Sequence, residues 1–194
     1  MKDIPTQTAI ELNQIVTAEV TELWLRPGER LVVSGVPACG HVGALIAGRR
    51  HVPYTPTRVM PAMKDPARWP LPTEEVRPED WTDDPTLGYW VTARDPGQYA
   101  VRAGDHLAAT HGLARLTITD QRVALVCPTK FLVEPPDPTQ PLTTFEETGS
   151  GIVRGFSAAV TGISVPPKPL LRVDFADGST LFARDLLAPR KAPR

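Results

Sequence analysis

Cysteine is scarce in this chain: Cys39 and Cys127 are the only two among 194 residues, and they stand far apart. That is no disulfide framework and no metal-ligand spacing, so two free thiols are expected. Long apolar runs are also missing. Nothing approaches the roughly eighteen consecutive apolar residues of a spanning helix, so no transmembrane segment is expected. The opening "MKDIPTQTAIELNQ" lacks the basic and then apolar regions of a signal peptide. A cytoplasmic protein is the expectation, with peripheral membrane contact left open. Charge of one sign is missing too. The formal net charge is -1, so no global basic field draws the chain to nucleic acid.

The usual chemical signatures are absent as well. There is no phosphate-binding glycine loop, no H-E-x-x-H, no G-x-S-x-G and no C-x-x-C. No cofactor and no metal are expected on these grounds, and no internal repeat of solenoid period is present.

Proline is abundant, at 22 residues, while apolar residues make up 41%. A single domain over 1–194 that combines a folded part with loop-rich parts fits both figures. Residues 8–25, "TAIELNQIVTAEVTELWL", predict a helix. Ile10 or Leu12, then Ile15, Val16, Val20, Leu23 and Trp24 recur at three- and four-residue steps, and Thr6 or Thr8 is placed to cap it. Pro27-Gly28 ends it. "ERLVVSGV", 29–36, predicts a strand. "CGHVGALIAGRRHV" predicts a second, turning at Gly48-Arg49.

Residues 53–97 hold nine prolines and an acidic group running from Glu74 to Asp84. They also hold Trp69, Trp81 and Trp90, which a disordered tail would lack. An ordered but irregular insertion is expected there. After it, "QYAVRA" (98–103) predicts a short strand and "GDHLAATHG" a connector. Residues 128–150 predict a proline-rich connection, with a short strand near Phe131–Val133. Val153–Ser157 and Gly162–Val165 predict extended pieces, and 186–194 a frayed tail.

Two hairpins are the firmest features. In "LARLTITDQRVALVC", 113–127, a turn at Asp120-Gln121 sets Ile118 against Val123, Leu116 against Leu125 and Ala114 against Cys127. That gives one apolar face. Arg115, Thr117, Thr119, Arg122, Ala124 and Val126 make the other, expected to face water. In "LLRVDFADGSTLFARD", 170–185, a turn at Asp177-Gly178 sets Val173 against Phe182 and Phe175 against Thr180.

These words resemble those of bacterial PH-like (GRAM-type) domains. The matching residues are Pro27-Gly28-Glu29, then Gly112, Leu116, Thr119, Arg122 and Val123. Val160 with Ile163 follow, and then Val173, Phe175, Asp177 and Gly178. The resemblance covers 26–36 and 110–185. It implies a mainly β fold, a split barrel of antiparallel strands. An N-terminal helix and the 53–97 insertion depart from that pattern, as does a short tail in place of the usual C-terminal helix.

The function expected from this pattern is a non-catalytic binding or scaffolding module for a protein or peptide. The 53–97 insertion would be its specificity element, and Trp69, Trp81 and Trp90 its contact residues. A second expectation is a small enzyme with Cys39 as nucleophile and His41 or His111 as base. A third is a peripheral lipid or anion binder through Arg49, Arg50 and His51, since phosphate-gripping PH-like domains carry basic residues near the first strand–strand loop. The bland counterparts are a surface-pinned loop, a small buried hydrophobe and an exposed turn.

Overall fold

The computed structural model describes residues 6–73 and 75–193, with Thr6 described by its backbone only. The Thr6 side-chain cap and Glu74 of the acidic group therefore lie outside the described residues. In chain order the elements begin with α1 (Thr6–Leu23), β1 (Leu31–Ser34), β2 (His41–Ile46) and β3 (Arg49–His51). Then come β4 (Leu87–Ala93), α2 (Tyr99–Ala109), β5 (Arg115–Thr119), β6 (Arg122–Pro128) and β7 (Leu142–Gly149). β8 (Val153–Thr161), β9 (Lys168–Phe175), β10 (Thr180–Arg184) and α3 (Ala188–Lys191) close the chain.

The protein is mainly β with a minor N-terminal helix, as expected. The strands do not close into a barrel. They form two sheets, ordered β1-β5-β6-β7 and β3-β2-β4-β10-β9-β8. All pairs are antiparallel except β2–β4, which run parallel. Parallel neighbours need a long crossover, and the chain between β3 and β4 supplies it. The main core lies between the sheets. Leu116, Ile118, Val123 and Leu125 meet Val42, Val91, Val173, Phe175 and Leu181 there, with Tyr99 and Leu107 of α2.

Segment 53–97 is thus no mere surface loop. It carries β4, which sits between β2 and β10, and a 3₁₀ turn at Trp81–Asp83. Trp81 and Trp90 are each 1% exposed and stack with ring centroids 6.2 Å apart. With Val76, Leu87 and Leu170 they form a second core on the far face of the six-stranded sheet. The "LGYW" run was obscured because its neighbours on both sides are turn formers, so no period could be read from it.

Other expectations are corrected as well. Residues 98–103 open α2 instead of forming a strand. Six residues are too few to separate alternation from helical spacing, and the stripe that decides it, Tyr99, Ala103 and Leu107, extends past them. The β2–β3 turn is Ala47-Gly48, one residue earlier than expected. Both have positive φ, 50° and 75°.

The register of the last hairpin shifts by one: Leu181 faces Val173 and Phe182 faces Arg172. Its loop has three residues, Ala176, Asp177 and Gly178, closed by Phe175 N–H donating to Ser179 O at 2.9 Å. Gly178 takes the left-handed position, φ +83°, as such loops require. The inward set is therefore Leu171, Val173 and Phe175 with Leu181 and Ala183, not Phe182.

Finally, 142–149 is strand β7, Val153–Thr161 is one continuous strand, and Gly162–Val165 is not a strand. Phe131 ends a 3₁₀ turn, and only Leu132 makes a lone bridge, to Met63. The tail is pinned: Ala188 is buried, and Lys191 Nζ donates to Asp185 Oδ2 at 2.6 Å and Ser34 O at 3.0 Å.

Candidate functional site

The β5–β6 hairpin takes its expected register, but its second face is not wet. Arg115, Thr117, Thr119, Arg122, Ala124 and Val126 are all buried. The amphipathic α1 covers them. Val16 and Val20 turn inward, whereas Ile15 and Leu23, expected on the same stripe, face out. Trp24 packs on Ala124, Val126 and Leu142 and donates Nε1–H to Thr144 Oγ1 at 2.8 Å. Arg115 pairs with Glu19 of the helix at 2.5 Å.

Arg122 is the hub of this face. Its Nε donates to Glu29 Oε1 at 2.7 Å and its Nη2 to Glu29 Oε2 at 3.0 Å. Its Nη1 reaches Glu147 Oε2 at 2.6 Å, and its guanidinium lies 3.7 Å over the Trp24 ring. Glu29 also accepts from Thr119 Oγ1 at 2.7 Å and Arg26 N–H at 2.9 Å. The Arg122 hydrogen bonds, joined by those from Arg26 and Thr119, overcome burial and hold the Glu29 carboxyl down at about 2. Burial works against the Arg122 cation, but its carboxylate partners hold its pKa above the usual value.

Above Arg122 and Trp24 a groove opens between the end of α1 and the proline-rich loop 134–141 and continues past Gln140. One hollow, about 280 Å³, is lined by Leu23, Trp24, Arg26, Arg122, Asp137 and Thr144 among others. The next, about 420 Å³, is lined by Glu19, Lys64, Lys130, Pro135, Pro138 and Pro141 among others. Gln140 borders both. Both hollows mix apolar walls with charged side chains, Arg26 and Asp137 in the first and Glu19, Lys64 and Lys130 in the second.

Lys64 reaches the groove on a strap, residues 53–73, that leaves β3. Asp105 of α2 anchors the strap: it accepts from Tyr54 Oη at 2.7 Å, Thr57 N–H at 3.0 Å and Arg58 Nε at 2.8 Å. Lys64 N–H donates to Phe131 O at 2.8 Å. Beside the anchor, Glu146 gathers Arg58, Arg102 and His106 at 3.3, 3.4 and 3.7 Å. Burial lowers the His106 pKa, with Arg58 adding to the effect, and the ring stacks on Phe145 at 4.9 Å.

The residues singled out in the sequence fall elsewhere. Trp81 and Trp90 are core residues and cannot serve as surface anchors. Trp69 is half-buried. Arg49, Arg50 and His51 are exposed on β3, where Arg50 Nη1 donates to Val76 O at 3.1 Å and His51 meets the Tyr54 ring edge-on. Cys39, His41 and His111 lie near one end of the main core. Gly40 N–H donates to His111 O at 3.3 Å, and His41 Nε2 lies 3.0 Å from Pro70 O. Burial raises the Cys39 thiol, the wrong direction for a nucleophile. Cys127 sits in the main core and is pushed up to about 12 by burial. Both cysteines are free. Among the described residues no three His, Cys, Asp or Glu side chains gather where they could hold a metal ion, and no helix is long and apolar enough to cross a membrane.

The groove was not legible in the sequence. Its one local signal was the Trp at the end of the helical stripe, and its other wall comes from a loop more than a hundred positions on. Comparison with protein-family models, curated proteins and solved structures finds no match for the chain.

Proposed function

We propose that this protein is a non-catalytic binding module that takes an extended polypeptide segment in the groove between α1 and loop 134–141. The observation that carries the proposal is the floor of that groove. Arg122, Glu29, Glu147 and Trp24 satisfy one another beneath the first hollow, whose walls present Leu23, Trp24 and Pro136 beside Arg26 and Asp137. A preordered groove lowers the cost of binding. Prolines and an aromatic ring suit an extended chain. The strap of segment 53–97 keeps its role as specificity element through Lys64, which with Lys130 and Glu19 gives the second hollow its charged groups. The PH-like resemblance enters as framework: Glu29, Thr119 and Arg122, three of its residues, are the ones that build the floor.

The test is to pan a random-peptide display library against the full-length chain. Enriched peptides are then titrated against the wild type and against Gln140→Trp, which fills the groove where its halves meet. Micromolar binding that weakens by at least about tenfold, roughly 1.4 kcal/mol, in the variant is expected. Peptides that bind both proteins equally, or no enrichment at all, would remove the proposal.

A further inference from the structure

Two sheets have four edges: β1 and β7 on one, β3 and β8 on the other. An exposed edge is a template for another strand, and proteins guard edges by shortness, charge, proline, bulges or a covering helix or loop. β1 has four residues and a bulge. β3 has three, of which Arg49, Arg50 and His51 are all exposed. β7 carries Glu146 and Glu147. β8 is different. It runs for nine residues, "VRGFSAAVT", with no proline and Arg154 as its single charge. Its one bulge lies at its start, between Val153 and Gly155. Among the described residues, α3 packs beside β8 and residues Glu79–Asp83 bind its end at Thr161–Ser164, but nothing outside β9 forms a hydrogen bond with the main chain of 154–160. Apolar side chains crowd its far end: Val160 is 61% exposed, and Ile163 and Val165 beyond it are 84% and 94% exposed.

The geometry points to a second copy of this chain as the occupant of that edge, joined by antiparallel pairing of β8 with β8 about Ser157. The sequence of the strand is complementary to itself in this register. Ser157 meets its own copy, Phe156 meets Ala158, Gly155 meets Ala159, and Arg154 meets Val160. The large ring faces a small side chain at both symmetric places. The two arginines lie six residues apart along the pairing, about 20 Å at the strand rise, so the only charge on the strand does not repel its copy. Phe156, Ala158 and Val160 share the face that looks toward the four-stranded sheet, because their partners in β9 are Val173, Leu171 and Pro169. Pairing therefore extends one apolar layer across the twofold axis and joins two six-stranded sheets into one. A twofold, self-complementary contact of this kind closes on itself and leaves no β8 edge free to propagate.

The experiment uses the full chain. Light scattering coupled to size exclusion, and sedimentation equilibrium up to several hundred micromolar, are expected to give twice the 21.1 kDa chain mass. Ala158→Lys with Val160→Lys, which installs the missing edge guard, is expected to return the mass to that of one chain with an unchanged far-ultraviolet spectrum. A second pair keeps the test open should those variants fold poorly. Under mild oxidation Ser157→Cys is expected to give a covalent dimer, while Arg154→Cys and the wild type are not. A chain that stays monomeric throughout overturns the proposal, even where a foreign extended peptide occupies the edge. So does a dimer indifferent to the lysines, or equal cross-linking from positions 154 and 157.

Discussion

Arg122 grips both carboxylate oxygens of Glu29, at 2.7 and 3.0 Å, although 93 positions separate them. The pair ties the chain leaving α1 to the turn of the central hairpin, and α1 closes over it. Breaking one side of a buried pair leaves an uncompensated charge, whereas replacing both need not. Arg122→Met is therefore expected to destabilise the protein by about 3–5 kcal/mol, and Glu29→Met with Arg122→Met to recover much of that. Urea unfolding of the single and double variants measures both.

The same pair sets an acid limit. Glu29 has a folded-state pKa of about 2 against an ordinary 4.5. A depressed carboxylate contributes stability that is complete above its unfolded pKa and is lost as pH falls through the folded one. The loss belongs to the window from about pH 5 down to about pH 2, and amounts to about 3 kcal/mol at most. Unfolding midpoints across that window should fall less steeply for Glu29→Gln than for the wild type. Equal slopes would mean the carboxylate is not held as described.

His106 adds a second, milder window. Burial lowers the pKa of its ring, with Arg58 adding to the effect, so the unfolded chain takes up a proton more readily than the folded one. Its stabilising share is present above about pH 6.5 and declines as pH falls below it. His106→Phe, which keeps the stack on Phe145, is expected to flatten the stability profile between pH 7 and pH 5 in thermal melts.

Trp81 and Trp90 belong to folding, not to contact with a partner. Trp81→Ala is expected to cost about 3–5 kcal/mol, while peptide binding in the groove is unchanged wherever the variant is folded. Their emission should be blue and shielded from iodide. A Trp81 variant of wild-type stability would contradict the stacked core.

Gly88 is required by close approach rather than by conformation. A Cβ there would lie 2.0 Å from the Ala38 carbonyl oxygen, a backbone atom that cannot swing aside. Gly88→Ala is expected to cost a few kcal/mol, on the order of an overpacked core site. Gly151→Ala meets nothing within 4 Å and serves as the near-neutral control. Thermal melts of the two variants side by side decide it.

The sequence by itself determined the local grammar. Alternation in 113–127 placed the β5–β6 register correctly, because slipping by one would have scattered Leu116, Ile118, Val123 and Leu125. α1 stops at Leu23, two residues short of the expected end and ahead of Pro27-Gly28, while the apolar runs located β1 and β9. Where the chain's own neighbours were ambiguous, tertiary structure decided. Three loop residues instead of two moved the last hairpin by one, and α2 emerged because Tyr99, Ala103 and Leu107 share a core that a six-residue window cannot see. β4 was hidden in proline-rich surroundings until β2 and β10 flanked it. The candidate site was the least legible of all. Arg115, Thr117, Thr119 and Arg122 read as a wet face, since polar side chains carry no mark of what covers them. Only the docking of α1, together with Ser34, Glu29 and Glu147 from other segments, supplied partners for them. Burial of charge is a property of pairs, and two of the pairs here, Arg115–Glu19 and Arg122–Glu29, are joined across about half the chain.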